Sequence, residues 1–369
     1  MIVKNESHIV QEALNSLKNY IDYYVVCDTG SSDGTQGIIR KWGADACVEG
    51  VVLDHEWKNF GHNRTMAFHE AFTRYETHKC DYLLMFDADD IIEGTFPRDT
   101  LLTSTADALY LRVGKGFVYD RLCIFYIGSG LQWKYVGVLH EFPECINKEC
   151  VTTEHISGDY YIESRRIGSR NTLENKYVND TELLMKAIEG EKDEGITRRY
   201  IFYAAQSLYD AGKSEEAKKY YGKRMQLGGW QEEVYYSAFR IAVITATNGA
   251  ETTDIETAYL TAYKEAPHRA EPLHALSRFY REKNDFKSAY AFAKLAQSIL
   301  SPLTNAPQDI HLFISQSVYD YQVDDELAIS AYYVGKKDEC RQLCEKILRR
   351  PDLSDDDRQR ISNNLAFCI

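Results

Sequence analysis

The carboxylates of YLLMFDADD, residues 82–90, are placed to do chemistry. An apolar run carries the backbone through a buried strand, and carboxylates that would be costly inside emerge at its end. Asp87 and Asp89 stand two apart on extended backbone, so both point to one side and can share a divalent cation with a diphosphate. Upstream, YVVCDTGSSDGTQGIIRKWG (24–43) repeats the arrangement: an apolar strand ends on Asp28, a turn holding Gly30, Ser31, Asp33 and Gly34 follows, and Thr35 opens a helix. This turn has neither the Lys of a P-loop nor the G-x-G-x-x-G spacing of a dinucleotide fold. Its carboxylate is better suited to accept hydrogen bonds from a base or ribose than to hold phosphate. Taken singly, each motif also fits a well-capped or solvated acidic turn; their succession at two strand ends is the more specific signal.

The elements that must hold these groups read as alternating strands and helices over residues 1–157. MIV, YYVVC and YLLMF are strand runs, and Ile9, Val10, Ala13, Leu14 and Leu17 recur at helical spacing, as do Met66, Ala67, Phe68, Ala71, Phe72 and Tyr75. Such alternation implies βαβ units on a mainly parallel sheet, whose carboxyl edge is where open α/β sheets bind ligands. DALYLRV and LCIFYI, further on, are strands that cross or pair antiparallel, and YVGVLHEF is a strand-like run ending on His140 and Glu141. The first strand starts at residue 1 with almost no run-up, so it is either short or incomplete. From about residue 175 strand signals vanish. AAQSLYDAGKSEEAKKYY, ALSRFYREKNDFKSAYAFA and AISAYYVGKKDECRQLC share a small residue, an aromatic, a Gly or Asn turn and a second small residue, with Ala205 and Ala217, and again Ala328 and Cys340, twelve positions apart. This resembles the tetratricopeptide helix-turn-helix; a plain helical bundle is the alternative. The division expected is therefore an α/β domain over 1–174 and a helical-repeat domain over 175–369.

Composition narrows the function classes. The 369 residues suit two domains, and 44% hydrophobic with 27% charged residues is ordinary for a globular chain with no apolar stretch long enough to span a membrane. A net charge of −13 speaks against duplex nucleic acid as a partner. The nine cysteines include no Cys-x-x-Cys pair, so they read as reduced, mostly buried thiols. The N-terminus turns polar by its fourth residue, which argues against secretion and for the cytoplasm.

The paired motifs resemble those of family 2 glycosyltransferases of GT-A fold, in which the turn after the second strand holds the uridine of a nucleotide-sugar. Asp28, Gly30, Ser31, Asp33, Gly34 and Thr35 match that turn, with Thr29 where many members have a second Asp. The resemblance implies that Asp87 and Asp89, as a D-x-D pair, share Mn²⁺ or Mg²⁺ with the diphosphate of the donor. WKNFGHNRTMAFHEA resembles the segment flanking the nucleotide, with Arg64 reaching a phosphate or holding Asp28. By chain order the resemblance suggests Glu141 as catalytic base, with Asp90 and His140 as the other base candidates, and His155 as a further metal ligand, a role open to His140 as well. Arg165, Arg166 and Arg170 in IESRRIGSRN are either a basic loop that folds over the donor diphosphate or an exposed linker.

The resemblance implies inverting, hexosyltransferase-like transfer of a sugar from a UDP-sugar to a glycan, protein or peptide acceptor, with the helical domain as a possible homodimer contact. Helical tails of this kind also resemble those of a subgroup of such enzymes, including peptide S-glycosyltransferases. Two rivals are a repeat protein that senses nucleotide without catalysis, and a nucleotidyltransferase. The intact acidic residues count against the first. The second would show a Gly-rich basic loop near the first strand, where MIVKNESH offers none.

Overall fold

A computed structural model describes residues 1–74, 80–128, 130–300 and 312–368, which leaves Tyr75 outside the described residues. The chain forms two compact units, Met1–Lys213 and Ser214–Ile369.

In the first unit, strands β1 (Ile2–Val3), β2 (Tyr23–Asp28) and β3 (Glu49–Asp54) lie parallel in that order. Alternation on β2 sends Tyr24 and Val26 against helices α1 (Val10–Leu17) and α2 (Thr35–Ala46), where they pack with Leu14, Ile39 and Trp42. Cys27 faces the other way, onto Ala67 and Phe68 of helix α3 (Phe60–Phe72). Helices thus cover both faces of the parallel strands, as the alternation predicts. A cavity of about 450 Å³ opens beside β2, lined by Met1, Leu14, Leu17, Ile21, Leu83 and Met85 among others.

Beyond α3 the sheet is mixed rather than mainly parallel. Strand β4 (Tyr82–Leu84) is antiparallel to β7 (Phe117–Tyr126), β7 to β6 (Ala108–Val113), and β5 (Asp90–Gly94) to β11 (Tyr160–Ser164). Only β10 (Thr153–His155) and β11 run parallel to β6. The three residues between β6 and β7, turning at Gly114 with φ +84°, can close only an antiparallel hairpin. Strands β8 (Trp133–Val136) and β9 (Phe142–Cys145) form a second hairpin whose loop, residues 137–141, carries His140 and Glu141. Glu141 therefore stands on a loop and not at the end of a buried strand.

Helices α4 (Lys176–Gly190) and α5 (Glu194–Asp210) belong to this first unit, so it runs well past residue 174. The reason is packing: the Val138 N–H donates to the Tyr200 hydroxyl at 3.1 Å, and Arg199 lies over the rings of Phe142 and Tyr203.

The second unit is helical, with α6 (Ser214–Gln226), α7 (Gln231–Thr247), α8 (Thr252–Glu265), α9 (Glu271–Glu282), α10 (Phe286–Ser298), α11 (Val323–Tyr333), α12 (Lys337–Leu348) and α13 (Asp355–Ala366). Small residues sit fully buried where neighbouring helices meet, among them Ala242, Ala262, Ala289 and Ala331. The Gly or Asn turns noted in the sequence are left-handed helix ends. Asn284 and Gly335 here, and Gly212 in the first unit, have φ of +61°, +84° and +77°. The residue after each donates its N–H back to a carbonyl of the last turn, as Lys336 does to Ala331 at 2.8 Å. Among the described residues no helix is long and apolar enough to cross a membrane.

Candidate active site

The turn after β2 is held by its own polar groups. Asp28 is fully buried, and its Oδ1 accepts the N–H groups of Gly30 at 2.8 Å and Ser31 at 2.7 Å. Gly30 makes this possible with φ +105°. Ser31 Oγ accepts the Asn5 N–H at 2.8 Å. Asp33 accepts the Ser7 N–H at 3.0 Å and the Thr35 N–H and hydroxyl at 3.1 and 2.6 Å. Burial pushes the Asp33 carboxyl up, but these bonds together outweigh it and hold the carboxyl well below its usual range. Ser31 and Asp33, expected at the nucleotide, spend these acceptors tying the loop after β1 to the turn. Asp28 is different: its Oδ2 is buried with no hydrogen-bond partner among the described residues.

The turn after β4 is held by distant arginines. Arg64 Nη2 lies 2.5 Å from Asp87 Oδ1, and Arg121 Nη1 lies 3.1 Å from Asp87 Oδ2. Arg64 also pairs through Nε with Glu141, and Arg121 through Nη2 with Asp90. The result is a chain of alternating charge, Glu141–Arg64–Asp87–Arg121–Asp90, on half-buried to buried side chains. Burial disfavours the Asp87 charge, yet the two arginines outweigh it and lower its pKa. At Asp90 burial wins over Arg121 and raises the pKa, and Oδ1 there has no partner among the described residues.

The α3 N-terminus sets Arg64 in this chain. Asn59 caps it by accepting the His62 N–H at 2.8 Å, and Asn63 is buried, bonding the Lys58 N–H and the Glu56 carbonyl. Gly61 lets the helix approach the β8–β9 hairpin; a Cβ there would stand 2.3 Å from the Gly137 carbonyl oxygen.

Asp89 faces different company. Its carboxylate accepts one long bond, from Asn171 Nδ2 at 3.4 Å, while its backbone carbonyl accepts from Arg165 Nε and N–H at 3.2 and 3.3 Å. The stretch from Arg165 to Lys176 is thereby packed onto the site and is not a free linker. Ser169 N–H donates to the Glu6 carboxylate, and Gly168 sits where a Cβ would lie 3.3 Å from Asp89 Oδ2. Arg165 is paired with Glu12, and Arg170 with Asp180 while stacking 4.7 Å over Phe60.

The expected metal set does not assemble as drawn. His155 stacks on Tyr110, and its Nδ1 lies 3.5 Å from Asp120. On β7, Asp120 and Arg121 point to opposite faces, so His155 lies on the face away from Arg121 and Asp87. Asp87 is clamped by two guanidinium groups, and no cluster of three His, Cys, Asp or Glu ligands occurs among the described residues. The residue that would hold a hard divalent ion is Asp89, whose carboxylate is nearly unbonded.

His140 sits in a strained, cationic setting. Its backbone is left-handed, with φ +53°; its ring stacks 3.8 Å from Tyr203, and its carbonyl accepts from Arg199 Nε. Desolvation first, then the charges of Arg199, Arg170 and Lys176, lower the imidazole pKa. The residue keeps an exposed edge, which softens the desolvation, but these positive neighbours act in the same direction.

Sequence reasoning missed Arg121, Asn171 and Glu6. Arg121 left a signal, a lone cation within the otherwise apolar end of FVYDRLCIFY; the other two left none.

No curated protein matches the chain. Among solved structures, BtubC (BKLC) from P. vanneervenii is 13% identical, over 54% of this chain and 83% of that one, with a TM-score of 0.41. MamA is 11% identical, over 51% of this chain and 92% of that one, with a TM-score of 0.36. S. aureus TarS is 14% identical, over 73% of this chain and 54% of that one, with a TM-score of 0.31. Residues 1–100 match the Glycosyl transferase family 2 model, a span that contains Asp28, Arg64, Asp87, Asp89 and Asp90. Residues 1–100 thus carry the family 2 glycosyltransferase match, and the second unit is built of successive helices.

Proposed function

We propose that the protein is an inverting, divalent-metal-dependent glycosyltransferase that moves a sugar from a UDP-linked donor to a glycan, protein or peptide acceptor. The observation that carries this reading is the buried, unpartnered Oδ2 of Asp28 at the carboxyl edge of the parallel strands. A buried acceptor left without a donor costs about 1–3 kcal/mol, and a uracil N–H or a ribose hydroxyl supplies the missing bond.

In this reading Asp28 faces the nucleoside, Asp87 stays clamped by Arg64 and Arg121 as framework, and Asp89 would hold Mn²⁺ or Mg²⁺. When bound, the ion neutralises charge growing on the leaving diphosphate. Glu141 is the proton acceptor for the incoming nucleophile. Of the three base candidates, Asp90 is fully buried against Arg121 and His140 is crowded by Arg199, Arg170 and Lys176, whereas the largely buried Glu141 meets the Arg64 guanidinium. Arg64 holds Glu141 and Asp87 together, and an arriving diphosphate competes for that guanidinium, loosening it from the base. For Arg165 and Arg170 to reach the donor, their pairs with Glu12 and Asp180 must open. The repeats of residues 214–369 serve acceptor choice or self-association.

A panel of nucleotide-sugars with Mn²⁺ tests the activity through release of free nucleotide. Glu141→Gln tests the base, because Gln keeps the shape and loses the basicity. It lowers transfer by about 10²–10⁴-fold with UDP affinity nearly unchanged. Loss of UDP binding by that variant would move Glu141 into the donor site.

A further inference from the structure

In the last two helices, three thiols from separate turns converge. Cys340 and Cys344 lie one turn apart on α12, and Cys368 follows the end of α13. All three are buried, at 1%, 0% and 5% exposure, among Leu327, Ala331, Ile347 and Ile361. A lone buried cysteine packs as a small apolar residue. Here, however, the Cys368 and Cys340 sulfurs face each other at 2.7 Å. A disulfide needs about 2.05 Å, so less than about 1 Å of approach closes the bond.

We propose that Cys340 and Cys368 form a reversible disulfide that staples α13 to α12 when a small-molecule disulfide oxidises the protein. The inference stands apart from the glycosyltransferase reading, which uses none of these residues. Access comes from the stretch after α13, where the helix has ended at Ala366 and Phe367, next to Cys368, is exposed. Burial raises the Cys340 thiol and, to about 11, that of Cys344, so neither initiates exchange near neutral pH.

The steps balance as two exchanges. The Cys368 thiolate attacks one sulfur of the oxidant, forming a mixed disulfide and expelling a thiolate. Cys340, deprotonated as it attacks, then displaces the second thiolate from Cys368. The two protons given up by the cysteines end on the two small thiols released. The protein loses two electrons and the small disulfide gains them. The closed loop runs from 340 to 368 and contains all of α13, so the bond restricts the unfolded chain and holds α13 in place. A thiol reductant reverses it.

The test uses the full chain with the exposed cysteines removed as Cys47→Ser and Cys150→Ser. The folded protein is incubated with oxidised glutathione, alkylated, unfolded and mapped by mass spectrometry. The expected product is a linked Cys340–Cys368 peptide two hydrogens lighter than its parts, absent after Cys368→Ser. With it, Tm rises by several degrees and proteolytic cleavage within α13 slows several-fold, both reversed by dithiothreitol. In Cys340→Ala the reaction stops at a mixed disulfide on Cys368. Recovery of both thiols alkylated, a lasting mixed disulfide on Cys368 with Cys340 intact, or a link from Cys368 to Cys344 would each overturn the assignment.

Discussion

In the turn after β2, Asp28 and Asp33 take their hydrogen bonds from groups within three residues of themselves or from the adjoining loop after β1. In the turn after β4, Asp87 and Asp90 take theirs from Arg64 and Arg121, on a helix and a strand contributed by other parts of the chain. The first turn is built by its own sequence and leaves one buried oxygen over. The second is built by tertiary packing and leaves one carboxylate, Asp89, almost unbonded. The comparison teaches that matching acidic motifs at two strand ends do different work. Most of the polar groups in each hold the framework, and each turn leaves one acceptor, on Asp28 and on Asp89, whose bonding capacity the framework does not consume.

Four substitutions break or sharpen that contrast. The largest effect is expected at Asp89: Asp89→Ala removes the open carboxylate and lowers transfer by about 10²–10³-fold while the fold persists, as followed by nucleotide release. Next is Arg121→Gln, which leaves Asp90 buried without its partner and costs about 3 kcal/mol of stability in denaturant titration. A loss below about 0.5 kcal/mol would show that packing, and not the arginine, holds the second turn. Asp28→Ala forfeits a charge-assisted bond to the nucleoside and weakens UDP binding about tenfold by calorimetry. The smallest effect is expected for Ser31→Ala, which removes the bond to the Asn5 N–H, lowers stability by about 1 kcal/mol and leaves UDP affinity unchanged. Weaker UDP binding by Ser31→Ala would return Ser31 to the donor site.

The same contrast explains what the sequence discloses. Helical spacing at Val10, Ala13, Leu14 and Leu17 and the apolar run ending at Asp28 carry their structure locally, and both elements form where the pattern places them. So do the left-handed ends at Asn284 and Gly335, because only the backbone at the turn decides them. The antiparallel strands after residue 100 follow from short connections. Their pairing with β4 joins residues about forty apart, which no local period encodes. In the site, Asp28 and Asp89 are legible because strand-end carboxylates announce themselves. Arg121 becomes visible only once β7 lies beside β4, and His155 misleads because chain order does not tell which face of a sheet a residue occupies.

Calorimetric titration of UDP into the full chain, with Mn²⁺ and again with excess chelator, tests most directly that Asp28 and Asp89 are the donor-facing groups. Saturable binding with Mn²⁺ is predicted, weakened about tenfold or more by chelation, by Asp28→Ala and by Asp89→Asn. Equal affinity with and without the metal, unchanged in both variants, would contradict the assignment and leave the two turns as framework alone.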